Sequence, residues 1–443
     1  MDSAAPAGPT LNRAIWAIAL PAMITNVATA LFGLADIWVI GRLGDASAQA
    51  GVELGAKLLM GLLVVFNFLR MGTVGLTAQA SGRRDDAAGA AILVRALALA
   101  TVIGLLLFAI RPLAVGTGLH LLAAQGAVAD QAARYVDIRY WGALPWLLNA
   151  ALTGWLIGLR RMRAVLAIEV GANLAHIALD IGLVLGLGWG VAGVATATLL
   201  SECAKLVALA AVASRQPAAR QVIATLRARA TWRPAGIFAL LRLSRDLFFR
   251  TLLLSASILL MTRVGAKAGP VTLAANGVLF QFFMLVALIL DGFESAAQVL
   301  GGHAVGSNDR RRFVATVWAT LRLGAVASLV IAVAMLASGP WLAASFSRDP
   351  AVVAATGRHV GWIAVLAVAG VGSFVLDGVF IGANWTRAML GTMLAAFLAF
   401  GAALVMVVPL GNHGLWLAFT LFLIVRGAGQ ALCLPRLIPT RFG

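Results

Sequence analysis

The sequence predicts an all-α, polytopic membrane protein of twelve transmembrane helices, and three observations carry that prediction. Hydrophobic residues make up 61% of the 443-residue chain and charged residues only 12%. A soluble domain of this length could not hide so much apolar surface. The apolar residues fall in runs long enough to cross about 30 Å of hydrocarbon. Arginines, meanwhile, concentrate in short loops between those runs. The net charge of +17 therefore reads as membrane topology and not as a nucleic-acid surface. Membrane lipid is the expected partner, and no nucleic acid is. Cys203 and Cys433 both fall in apolar runs, so no disulfide framework is expected. The first apolar run follows Arg13 without a small-residue cleavage site and reads as a retained helix.

Residues 1–12 read as a short polar tail. The first span covers about 14–41 and contains Pro21, a candidate hinge because proline interrupts the helical ladder. It also contains Asp36, about four residues from its outer end. Spans two to six fall at about 53–80, 90–116, 130–158, 164–186 and 190–213. Six more follow at about 237–264, 271–303, 314–345, 351–382, 387–410 and 413–435. Arg215, Arg220, Arg227, Arg229 and Arg233 mark a basic linker between the two sets. This divides the chain into a six-helix lobe at 1–213, a linker at 214–236 and a second six-helix lobe at 237–443.

Loop charge sets the orientation. Arg83, Arg84, Arg160, Arg161, Arg163, the linker, Arg310, Arg311, Arg312, Arg387, Arg436 and Arg441 collect on one side. The other side has mainly Arg42, Lys267 and Arg348. Both termini and the linker are therefore expected in the cytoplasm. The halves also repeat. Ile157-Gly158 with Arg163-Ala164 recurs as Ile381-Gly382 with Arg387-Ala388 at an offset of 224, and Gly190 recurs as Gly414. Six helices per half give parallel repeats, with a substrate site between or within them.

The fifth span holds the sharpest chemical signal. Asp180 stands among Ile177, Leu179, Ile181, Leu183, Val184 and Leu185, with no Lys or Arg between Arg163 and Lys205. A carboxylate in such a setting is costly unless it faces a cavity or is protonated, which makes it a functional candidate. His176 lies one helical turn earlier on the same face, where it can act on Asp180 or bond a neighbouring helix. Asn173 lies one turn before His176. A Gly-rich corner, 187–190, then returns the chain across the membrane.

Motifs over the whole length resemble the multidrug and toxic compound extrusion (MATE) family, in its DinF-like branch. They include Leu20-Pro21, Ala35-Asp36-Ile-Trp38, Gly41-Arg-Leu-Gly44 and Phe68-Leu-Arg70-Met-Gly72. Leu179-Asp180, Leu243-Ser-Arg245-Asp246, Leu290-Asp291-Gly-Phe293 and Asp377-Gly-Val-Phe-Ile381-Gly382-Ala383 follow, then Leu410-Gly-Asn-His413-Gly-Leu-Trp416 with Arg426-Gly427. The resemblance implies two six-helix lobes forming a V around a central cavity. It implies a cation-coupled antiporter of the bacterial inner membrane that exports cationic or amphipathic organic compounds by alternating access. It also places Asp36 beside Asp180 as the coupling pair. Two carboxylates in a low-dielectric cavity cannot both ionise cheaply, so such a pair can load and release a proton. The coupling ion is expected to be H+, with Na+ as the alternative, and no cofactor or structural metal is expected. Tyr135, Thr153 and Thr198 fall where this branch lines the same cavity, although each hydroxyl can equally bond between helices.

The chain departs from the family pattern in two places. His176 stands where the family commonly has Asn. In the eighth span, Gln298 stands where the branch pattern has Glu, and Glu294 appears one turn earlier. Asp291, Glu294, Asp377 and Arg426 are expected to form a buried charge network in the second lobe. Asp246 with Arg250, and Glu202 with Lys205, have the spacing of ion pairs. A lipid or lipid-linked precursor flippase is a second reading, but it calls for a strongly basic cavity, whereas the mid-span charges here, apart from Arg70 and Arg139, are mainly acidic. A membrane enzyme is not supported. The five histidines sit in separate segments without metal spacing, and no nucleophile motif or phosphate loop occurs. A monomer is expected.

Overall fold

The computed structural model describes residues 9–121, 125–346 and 349–442. Residues 1–8 of the expected tail, and Arg348, lie outside this set. Helices follow in the order α1 (Pro9–Gly41), α2 (Ala46–Val64), α3 (Phe68–Gly82), α4 (Asp86–Leu121), α5 (Gly126–Arg139), α6 (Ala143–Gly158), α7 (Met162–Asp180) and α8 (Gly190–Ser214). The short α9 (Val222–Arg227) lies in the linker. After it come α10 (Pro234–Lys267), α11 (Pro270–Gly306), α12 (Arg310–Phe346), α13 (Pro350–His359), α14 (Gly361–Ala383), α15 (Thr386–Met406) and α16 (Gly411–Phe442).

Ten helical runs among the described residues are long and apolar enough to cross a membrane. Two further runs, Pro9–Gly41 and Gly126–Gly158, complete the expected twelve. Three crossings are built from two helices each. The pairs α2–α3, α5–α6 and α13–α14 each continue one another across a short break. In α5–α6 the break is the tight turn Tyr140–Gly142, and Pro145 follows within the first turn of α6. A missing N–H costs little there.

The linker is folded and not extended. Thr231 Oγ1 donates to the Thr225 carbonyl at 2.6 Å, and Trp232 Nε1 donates to the Leu226 carbonyl at 2.9 Å. Arg95 of α4 donates to the Thr231 carbonyl at 2.8 Å, which ties the linker to a transmembrane helix. The last helix also exceeds its expected end at 435 and continues through Pro435 and Pro439 to Phe442. Thr440 Oγ1 supplies a donor to the Leu437 carbonyl, in a turn where the prolines have none.

Contacts divide the chain into two compact units. One contains residues 24–241 and the other residues 1–23 with 242–443. Helix α1 therefore contributes to both, and its first part packs on α11, with Trp16 edge-on to Phe293 at 5.3 Å between centroids.

Within each unit, the same close helix packing recurs. A Cβ at Gly154 of α6 would collide with the Arg70 carbonyl of α3, and one at Gly158 with the Val74 carbonyl. At the offset of 224, a Cβ at Gly378 of α14 would collide with the Glu294 carbonyl of α11, and one at Gly382 with the Gln298 carbonyl. Small residues let the backbones touch, which is how helices associate without a hydrophobic drive. Left-handed residues close the turns at the same offset: Arg84 (φ 56°) matches Asn308 (φ 55°), and Arg160 (φ 63°) matches Asn384 (φ 63°). The charges do not follow suit. Arg70 corresponds to Glu294, and Glu202 corresponds to Arg426.

Candidate coupling site

Two helices of the 24–241 unit bring the predicted carboxylates together. Asp36 comes from α1, and His176 and Asp180 from α7. His176 Nε2 lies 2.6 Å from Asp36 Oδ1 and 3.0 Å from Asp180 Oδ2. The side chains of His176 and Asp180 are fully buried and that of Asp36 is 7% exposed. One ring nitrogen thus faces two carboxylates. Donation to one leaves the other without its proton, and neither Asp180 oxygen has a well-formed hydrogen bond among the described residues. With an imidazolium and two carboxylates the group carries one net negative charge. Taking up a single proton neutralises it, so burial couples strongly to proton occupancy.

The local backbone is unusual at this point. Directly after Asp180, residues Ile181–Gly186 form a π-helical turn, with Leu187 N–H donating to the Gly182 carbonyl at 2.9 Å. Gly188 (φ 70°) and Gly190 (φ 53°) then turn the corner. π-Turns within helices are rare and concentrate at functional sites. The glycine run was visible in the sequence, whereas the wider turn was not.

Tyr135 of α5 is fully buried, and the charges of Asp36 and Asp180 act on it. Arg139 donates to its hydroxyl at 3.2 Å and lies in the field of Asp36. Arg139 is the residue that sequence reasoning left outside the site. Its i, i+4 spacing from Tyr135 was the available signal. The remaining expected residues are less engaged. Thr198 is buried but donates to the Val194 carbonyl of its own helix at 3.0 Å. Thr153 is buried on α6, and no hydrogen bond joins it to the triad among the described contacts. Asn173 is half-buried, with its amide nitrogen unpartnered. Pro21 lies within α1, which continues through it as one helix, two residues before the chain passes from one unit to the other.

Asp36, His176 and Asp180 each offer a ligand atom within 4.8 Å of one another, so the donor set could also hold a cation. The imidazole nitrogen makes it a better match for a proton or a transition metal than for a hard alkali ion.

In the 242–443 unit, a charge network centres on Asp377 of α14, and Arg426 is the expected member that bonds it directly. The aspartate accepts from Arg250 of α10, from Arg426 of α16 and from Gln430 Nε2 at 2.6 Å, and it is fully buried. Glu294 is half-buried within the fields of Asp291, Asp377, Arg250 and Arg426. Two expected ion pairs are not formed. Arg250 is drawn to Asp377, while Asp246 pairs with Arg245 at 2.8 Å and accepts from Thr386 at 3.1 Å. Lys205 pairs with Glu169 across α7 and α8 at 2.8 Å, and Glu202 accepts from Asn149 at 2.7 Å. Arg250 and Lys205 thus each take a carboxylate on another helix in place of the expected neighbour on their own. The branch motif around His413 proves to be packing machinery. Asn412 and Asn276 exchange hydrogen bonds at 2.8 and 2.9 Å, Trp416 donates to Asn276, and Trp362 donates to His413.

Comparison with known proteins agrees with this architecture. The MatE family profile matches residues 21–181 and again 247–407, one copy in each half. The chain is 35% identical to the DNA damage-inducible protein F of Escherichia coli over 420 residues, covering 95% of this chain and 91% of that protein. It is 26% identical to a probable multidrug resistance protein NorM of Rhizobium meliloti, with 93% and 91% covered. Among solved structures, a MATE in the bent conformation superposes with a TM-score of 0.87 at 20% identity, covering 98% and 97% of the two chains. With two copies of its profile, and a relative matched along nearly its whole length, the chain belongs to the MatE family of multi-pass membrane proteins.

Proposed function

We propose that the protein is a proton-coupled antiporter that exports cationic or amphipathic organic compounds across the bacterial inner membrane by alternating access. The observation that supports this most is one buried imidazole nitrogen facing both Asp36 and Asp180. Such a group changes its net charge by one on binding a proton, in surroundings that penalise net charge. Loading from the outer side and release on the inner side would drive the opposed movement of substrate. Family membership and the names of relatives such as probable multidrug resistance protein NorM support export of organic compounds. Sodium is disfavoured as the coupling ion because an imidazole occupies the centre of the site, and hard alkali ions prefer oxygen.

The test is efflux of the fluorescent lipophilic cation ethidium from proteoliposomes under an imposed proton or sodium gradient. Efflux should follow the proton gradient and ignore sodium. Efflux driven by sodium alone would overturn the coupling assignment.

A further inference from the structure

The 24–241 unit holds a second set of charges, buried at Glu169 and half-buried elsewhere, between Asp180 and the arginine-rich end of α7 and α8. Lys205 Nζ lies 2.8 Å from Glu169 Oε2, with the side chains 18% and 9% exposed. Glu202, three residues before Lys205 on α8, accepts from Asn149 Nδ2 of α6 at 2.7 Å, and the same amide donates to its backbone carbonyl at 3.0 Å. Arg139 lies in the field of both Asp36 and Glu202. Its partner Tyr135 lies in the field of both Asp36 and Asp180. Arg70 of α3 donates to Asn67 at 3.2 Å, and its charge also acts on Lys205.

By helical rise the groups lie at successive depths: Tyr135 and Arg139 about 14 and 20 Å along α5 from Gly126, and Glu202 and Lys205 about 18 and 22 Å along α8 from Gly190. Along α7 the step from Asp180 to Glu169 is about 16 Å at the helical rise. It ends about 10 Å short of Met162, where α7 begins beside Arg160, Arg161 and Arg163. Structural need alone does not account for this placement, because apolar packing of similar volume would serve as well. Ionisable groups spaced along a low-dielectric path are what a proton needs to cross it.

We propose that Glu202 and the Glu169–Lys205 pair form the inward leg of the proton path, taking the proton that the triad releases and passing it to the arginine-rich side. This rests on the triad being the proton carrier. In the first step an O–H bond breaks at a triad carboxyl and one forms at the Glu202 carboxylate. The Tyr135 hydroxyl or a water accepts one proton on its oxygen as it releases another. Arg139 then serves as counter-charge to the newly ionised triad. In the second step the proton passes from Glu202 to Glu169. Lys205 exchanges Glu169 for Glu202, which is within its reach at i−3. Glu169 then gives the proton to water at the basic end.

The test follows the infrared band of protonated carboxyls in oriented proteoliposomes, without substrate, after an alkaline step on one side only. The triad's share of the band is defined by its loss in Asp36→Asn and Asp180→Asn. With the step on the arginine-rich side, Glu202→Gln and the double variant Glu169→Gln/Lys205→Met should slow its decay at least tenfold. Its amplitude, and its response to a step on the opposite side, should be unchanged. Glu202→Asp should restore most of the rate, which a loss of folding would not allow. Wild-type decay in both variants, or equal slowing from both sides, would overturn the proposal. If neither Asp36→Asn nor Asp180→Asn removes any band, the carrier assignment itself fails, and the inward leg fails with it.

Discussion

The His176 imidazole meets Asp36 at 2.6 Å, across 140 positions of sequence and between two helices. The same nitrogen lies 3.0 Å from an Asp180 oxygen. The histidine is therefore the common neighbour of both carboxylates, and their protonation states are read through it.

Replacing Asp180 by Asn should abolish gradient-driven efflux while leaving membrane insertion intact. The substitution keeps the shape but removes the site's ability to change charge. Asp36→Asn should give a similar loss, milder because Asp36 retains slight exposure. Ethidium efflux in proteoliposomes measures both, and wild-type rates in either variant would remove that residue from the coupling pair.

His176→Asn should move the pH profile of efflux in the alkaline direction. Loss of the imidazole leaves two carboxylates facing each other without a cation, which favours the proton-loaded site. The groups titrate together, so the prediction concerns the whole profile. Rates measured between pH 5.5 and 8.5 decide it, and an unchanged or acid-shifted profile would make His176 a packing residue.

Asp377→Ala should destabilise the protein by about 3–5 kcal/mol, because it strands the buried Arg250 and Arg426. The triple change Arg250→Met, Asp377→Leu, Arg426→Met should recover much of that loss. Thermal unfolding in detergent reports both. A harmless Asp377→Ala would show that water reaches the network.

Gly378→Ala should cost about 1–3 kcal/mol, since its Cβ would press on the Glu294 backbone. Gly391→Ala, with nothing within 4 Å of the added atom, should leave stability unchanged or slightly raised. Comparing the two melting temperatures separates close helix packing from helix propensity.

Single cysteines placed at Arg83, Arg227 and Arg311, all exposed, should label only from the cytoplasmic side when Cys203 and Cys433 are replaced. Labelling of Arg227→Cys from outside would reverse the orientation drawn from loop charge.

The crossings were legible because each run of apolar residues ends in Gly, Pro or a charge. Expected and observed limits agree closely, as at 190–213 against Gly190–Ser214. The breaks inside three crossings were not legible, since two short helices in line have the same composition as one long helix. Asp36 and Asp180 stood out because a carboxylate in an apolar run is costly. Their shared partner His176 was visible only as a neighbour of Asp180, because the approach of α1 is a tertiary fact. Charges on the same helix misled for the reverse reason. Glu202 and Lys205 have ideal spacing, but Asn149 and Glu169 reach them from other helices.

The 224-residue repeat has a consequence for the protein's ancestry. The halves kept the same left-handed turns and the same glycine contacts, yet Arg70 stands against Glu294 and Glu202 against Arg426. Backbone geometry was inherited as scaffolding, while the polar interior was free to diverge. One half set two carboxylates against one imidazole, and in the other an aspartate was locked between two guanidinium groups. A protein assembled from two copies of either half would have two such triads or none. The division of labour is written in the side chains that duplication left unconstrained.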